Sequence, residues 1–118
     1  MRNPRQHNAK HLDFVRSLPC LLCMGNVSTE AAHVRFSCLP AAKRPTGMGE
    51  KPHDRWTVPL CQHCHAAQHM SNERDFWAGT GIDPIFTAMA LWGVTGDHEA
   101  GLQIVSSASS SITLRHCE

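Results

Sequence analysis

The chain has 118 residues, 42% hydrophobic and 18% charged, with 6% aromatic residues and no tyrosine. That is the size of one small domain with a thin apolar core, for which a metal staple is an expected supplement. No apolar stretch reaches the roughly 20 residues of a membrane span, and none follows the basic start, which excludes a membrane protein and points to a soluble, cytoplasmic one. The net charge of +1 hides a split: residues 1–60 carry nine Lys/Arg against four Asp/Glu, and residues 61–118 carry two against six. A basic half beside an acidic half suits an anionic partner on one side, although an arbitrary surface distribution is an equally open reading.

Residues 1–16 are polar and basic, and read as an arm or a short helix ahead of a domain over residues 17–95. Pro19-Cys20-Leu21-Leu22-Cys23-Met24-Gly25 reads as a tight turn, with Gly25 where a positive φ is often needed. Residues 30–36 (EAAHVRF) read as a strand carrying His33. Residues 37–53, rich in Pro, Gly and Lys, are too irregular for an element and long enough for a functional loop. Residues 56–60 (WTVPL) read as a short strand, with Pro59 at an edge or end. Residues 64–78 lack Pro and Gly and read as one helix of about four turns. A further helix is predicted over Pro84–Trp92, capped by Asp83 and started by Pro84. Residues 96–118 give weak signals. Five serines within residues 106–111 point to a loosely attached tail, and Cys117 within it has no evident partner.

Six Cys and nine His are the unusual entries. Cys20-x-x-Cys23 and Cys61-x-x-Cys64 are the strongest signal, because two residues between cysteines let both thiolates of a turn face one cation. Two such turns complete a tetrahedral sulfur site for structural zinc. The 37 residues between the pairs mean that the ion clips a long loop shut. A redox-active pair fits less well, since no βαβ context surrounds either motif. His65 and His69 lie four apart on the expected helix, so both imidazoles reach one further cation or a phosphate. His69 as an ordinary surface residue is the bland alternative. His63 falls on another face and is expected in solvent. A lone strand histidine such as His33 is by itself more often a satisfied core residue.

The order of these pieces is more specific than any one of them. Cys20/Cys23, Ala32-His33-Val34, Thr57-Val58-Pro59-Leu60-Cys61 and Cys64-His65 together resemble the HNH, or ββα-metal (His-Me finger), endonuclease superfamily. The stretch Gly47-Met48-Gly49-Glu50-Lys51-Pro52-His53-Asp54 before VPLCQHCHAAQH resembles its small prophage-encoded branches, including the recombination-enhancement, RecA-dependent nucleases. The resemblance covers roughly residues 17–80. It implies an α+β fold: a small zinc-stabilised ββα-metal domain with added helices. It also implies His33 as general base, His65 and His69 as ligands of a catalytic Mg²⁺ or Mn²⁺, and a DNA substrate. The chemistry agrees, because phosphodiester hydrolysis needs a deprotonated nucleophile and a cation to offset charge in the transition state.

Two positions depart from the pattern. Ala32 stands where many members carry an acidic ligand, and Arg55-Trp56 falls where the motif asparagine belongs. Asp54 is the nearest compensating residue, as a catalytic-metal ligand or as the group orienting His33; a turn cap is the equal alternative. Arg35, Lys43, Arg44, Lys51 and Arg55 would flank a bound phosphate, with Arg2, Arg5 and Lys10 extending the contact. Each alone is an ordinary solvated charge, and none indicates base-specific reading. The leading expectation is therefore a metal-dependent DNA endonuclease or nickase acting in phage recombination or DNA processing. The alternatives are a non-catalytic zinc-stabilised nucleic-acid-binding module, and an accessory protein that binds a recombinase through Ile85, Phe86, Met89 and Trp92, although such spacing is more often core.

Overall fold

Asn8 starts the first helix by accepting a hydrogen bond from the backbone N–H of His11, the usual service of an Asn N-cap. In the computed structural model, which describes residues 7–36, 53–70 and 72–110, this helix is α1 (Ala9–Arg16). It buries His11, Phe14 and Val15, so this part of the basic segment is packed rather than a free arm. The Cys20–Cys23 turn follows, then β1 (Thr29–His33) and β2 (Thr57–Cys61). The two strands pair antiparallel, with Thr29 opposite Cys61, Glu30 opposite Leu60 and His33 opposite Thr57. β1 is shorter than the predicted strand and ends at His33.

The single helix predicted over residues 64–78 is two helices, α2 (Gln62–His69) and α3 (Glu73–Thr80). Asn72 breaks the run. Its side chain accepts from the Asp75 backbone N–H and starts a new helix with Glu73 and Asp75 in the first turn, where acidic groups meet the positive end of the helix dipole. Gly81, at φ 80°, closes α3 in the left-handed conformation that glycine adopts without a Cβ penalty. α4 (Pro84–Trp92) has the predicted bounds, and Asp83 Oδ1 accepts from the N–H groups of Ile85 and Phe86.

The loosely attached tail expected from residue 96 onward is instead helical up to Ser109. α5 (His98–Ser109) begins at the N-cap Asp97 and buries Gly101 and Val105. A Cβ at Gly101 would lie 2.8 Å from Phe14 Cζ, so this glycine lets α5 approach α1 closely. Residues 111–118, with Cys117, lie outside the described residues.

The core sits on the strand face that carries Ala32, Val34, Trp56, Val58 and Leu60, all buried. Phe14, Val15 and Leu18 from α1 and its exit close it, with Ile85, Leu91 and Val105 from α4 and α5. The result is a small α+β arrangement of a two-stranded sheet and five helices among the described residues. No helix among them is long and apolar enough to cross a membrane.

Candidate metal centre and histidine site

The two Cys-x-x-Cys turns meet. β2 delivers Cys61 at its last residue, and α2 begins one residue later, so Cys61 and Cys64 bracket the strand-to-helix junction. The first turn is tied beside it by the Leu21 N–H, which donates to the Pro59 carbonyl at 2.8 Å. Within that turn the Met24 N–H donates to the Cys20 carbonyl, and the Cys20 N–H to the Gly25 carbonyl. The positive φ expected at Gly25 falls on Met24, at 62°.

All four sulfurs lie within 4.8 Å of one another. Cys23 Sγ and Cys61 Sγ are 3.8 Å apart, and a tetrahedron with Zn–S bonds of about 2.3 Å has sulfur–sulfur edges of about 3.8 Å. The donor set therefore fits zinc in both size and softness. Cys20, Cys23 and Cys61 are free thiols, and ligation by all four sulfurs belongs to the reduced chain. A reducing compartment maintains that state.

The sulfur environments are unequal. Burial pushes the Cys23 thiol up to about 11. Burial acts on Cys61 in the same direction, but the Cys64 N–H donating to its sulfur, together with the neighbouring sulfurs, brings the net value below the ordinary one. A thiolate is thus favoured first at the start of α2, where the helix N-terminus also stabilises negative charge.

On the edge of the sheet, His33 Nε2 lies 3.0 Å from Asp54 Oδ1. Asp54 is 1% exposed, and its other oxygen accepts from the Asn8 N–H at 2.8 Å. The Asp54 carbonyl accepts from Thr57 Oγ1, while the Trp56 N–H donates to His53 and the Val34 N–H to Trp56. This turn sets Asp54 against the last residue of β1, and its carboxylate meets His33 and the start of α1. An ionised Asp54 carboxylate would accept from Nε2 of His33 and so favour the Nε2–H tautomer of the neutral ring. The exposed His7 imidazole stands 3.7 Å from the other Asp54 oxygen.

A second constellation lies on α2. The His65 and His69 rings are 4.8 Å apart between centroids, the proximity that i,i+4 spacing predicts. His65 Nδ1 meets Glu30 Oε1 at 2.6 Å, bridging α2 to β1. Among the described residues, the four cysteines are the only group of three or more His, Cys, Asp or Glu whose ligand atoms all lie that close together. Asp54, His65 and His69 therefore do not converge on one point as a ready-made ligand set.

The candidate cations fare differently. The Arg55 guanidinium is stacked 5.1 Å from Trp56 and 5.8 Å from Trp92, a cation–π arrangement that anchors it between β2 and α4. The Arg35 N–H donates to Glu73 Oε1. Lys43, Arg44 and Lys51 lie outside the described residues, and His63 is exposed as expected. The α4 set does not form one exposed stripe: Ile85 is buried, Trp92 half-buried, and Phe86 and Met89 exposed. Sequence reasoning missed Glu30, Asn8 and His7, whose partners lie 35, 46 and 47 positions away and leave no local pattern.

The model of one family, described as a protein of unknown function (DUF968), matches residues 1–91, and the chain belongs to that family. The match spans α1 to nearly the end of α4 and so contains both the four cysteines and the histidine constellations. No curated protein and no solved structure matches the chain.

Proposed function

We propose that this chain is a metal-dependent endonuclease or nickase of HNH type that hydrolyses phosphodiester bonds in DNA, with zinc at the four cysteines as its structural metal. The observation that carries the reading is the His33–Asp54 pair, an imidazole held by a buried carboxylate at the rim of a hairpin. Such a pair is suited to general-base work. Asp54 fixes the tautomer and stabilises the imidazolium, while Nδ1 of His33 takes the proton of a water that attacks phosphorus. As that P–O bond forms, the bond to the leaving sugar oxygen breaks.

A divalent Mg²⁺ or Mn²⁺, when bound, offsets charge on the phosphate oxygens. His65 and His69, four residues apart on α2, would hold it. A buried acid beside the base answers the sequence departure at Arg55-Trp56, where no motif asparagine stands. Basic residues in the first half of the chain supply the attraction for a nucleic-acid backbone. Action in phage recombination or DNA processing rests on the branch resemblance alone.

A non-catalytic nucleic-acid-binding module is the second reading, favoured by Ala32 and by the separation of Asp54 from the α2 histidines. Plasmid nicking separates the two. Replacing His33 with Ala should lower cleavage in Mg²⁺ or Mn²⁺ by roughly 10²–10⁴-fold, with zinc content and circular dichroism unchanged. Undiminished cleavage by that variant removes His33 as the base. A wild-type chain that binds DNA yet cuts it with neither cation establishes the second reading.

A further inference from the structure

β1 and α2 are joined by a contact that neither motif nor spacing announces. The strand register sets Thr29 opposite Cys61 and Glu30 opposite Leu60. Since α2 starts directly after Cys61, its first turn rises beside the start of β1, and His65 comes over Glu30. The Glu30 carboxylate is about half exposed, and Oε1 sits 2.6 Å from His65 Nδ1. An ionised carboxylate has no proton to give, so Nδ1 of His65 must be the donor. The neutral ring then carries its lone pair on Nε2, the atom at the far end of the imidazole from Glu30. His69 stands one helical turn further along the same side of α2.

From this geometry we infer that Glu30 is a positioning residue: it holds His65 in the Nδ1–H tautomer so that Nε2, together with His69, serves a first-row divalent cation. A carboxylate behind a ligating histidine fixes ring orientation and raises the basicity of the ligating nitrogen. Glu30 therefore supplies, from behind the ligand, part of the acidic character that Ala32 removes two residues along the same strand face. The inference rests on the proposed catalytic role of the α2 histidines, but its test is independent of cleavage.

The test uses the full-length, reduced, zinc-loaded chain and nickel(II), a cation that favours imidazole, followed by calorimetry with zinc retention monitored. The wild-type chain should take up one nickel ion beyond its zinc. Glu30→Ala should weaken that binding by about 10–100-fold. Glu30→Gln, which keeps an acceptor oxygen, should retain most of it, and His65→Ala should abolish it, all three keeping their zinc. Long-range ¹H–¹⁵N correlation of the metal-free α2 site should show His65 protonated at Nδ1 in the wild type and at Nε2 in Glu30→Ala.

Equal nickel affinity in Glu30→Ala, a wild-type Nε2–H tautomer, or no nickel uptake beyond zinc overturns the assignment. If nickel binding depends on Glu30 as stated while DNA stays uncut, the nuclease reading fails and this inference stands.

Discussion

Gln68 sits fully buried on α2 with neither its side-chain oxygen nor its nitrogen hydrogen-bonded. An unsatisfied buried amide costs on the order of 1–3 kcal/mol, so Gln68→Met should stabilise the zinc-loaded chain by about 1–2 kcal/mol in urea unfolding, with zinc content unchanged. His11 is a different case. It is buried between α1 and the end of α4, its Nδ1 2.8 Å from Thr95 Oγ1 and its ring edge-on to Trp92. Burial outweighs the attraction of Asp54 and holds its pKa below the ordinary 6.5. The unfolded chain then binds the proton more tightly than the folded one. The contribution of His11 to stability is complete above pH 6.5 and is lost as pH falls through the lowered folded value. Unfolding measured from pH 8 to pH 5 should show a shallower acid loss in His11→Phe than in the wild type; identical slopes would contradict this. His11 stands in a polar run, and nothing in its neighbours' identities marks it as buried.

Among the elements, α5 owes its place to close packing. Ala at position 101 would press on Phe14 and Leu18, and overpacking of this kind costs about 1–3 kcal/mol. Thermal unfolding of Gly101→Ala should show that loss. An unchanged melting temperature would mean that α5 does not press on α1. The contrast between α4 and α5 explains what the sequence made legible. Asp83 and Pro84 start α4 and Gly93 follows its last residue, all local signals that need no knowledge of the fold. In α5 the run of serines reads as a loose tail, and the packing of Gly101 against the distant Phe14 and Leu18 leaves no local signal. The boundary between α2 and α3 has a local signal: Asn72 ahead of Glu73 and Asp75 is a helix start. Asn72→Ala should cost about 1 kcal/mol, measurable by the same unfolding experiment. At the first Cys-x-x-Cys turn the residue order showed the motif but not the dihedrals, which place the left-handed residue at Met24.

For the whole molecule, the four sulfurs tie together the segment leaving α1, the end of β2 and the start of α2. β1, paired with β2, carries both His33 and Glu30, so a metal held by the four sulfurs would also brace the platform for both histidine constellations. The cysteine spacing made this centre legible, because two short motifs predict their own meeting. The pairings of His33 with Asp54 and of His65 with Glu30 depend on strand register and helix entry, which single residues do not encode.

Zinc of this kind contributes on the order of 10 kcal/mol to folding, comparable to the whole stability of a small domain. Native mass spectrometry of the reduced chain, paired with circular dichroism before and after chelation, tests that dependence. One zinc per chain, abolished by Cys61→Ser, with helical signal collapsing when the ion is withdrawn, is the expected result. A reduced chain that carries no zinc and keeps its full helical signal would contradict the account.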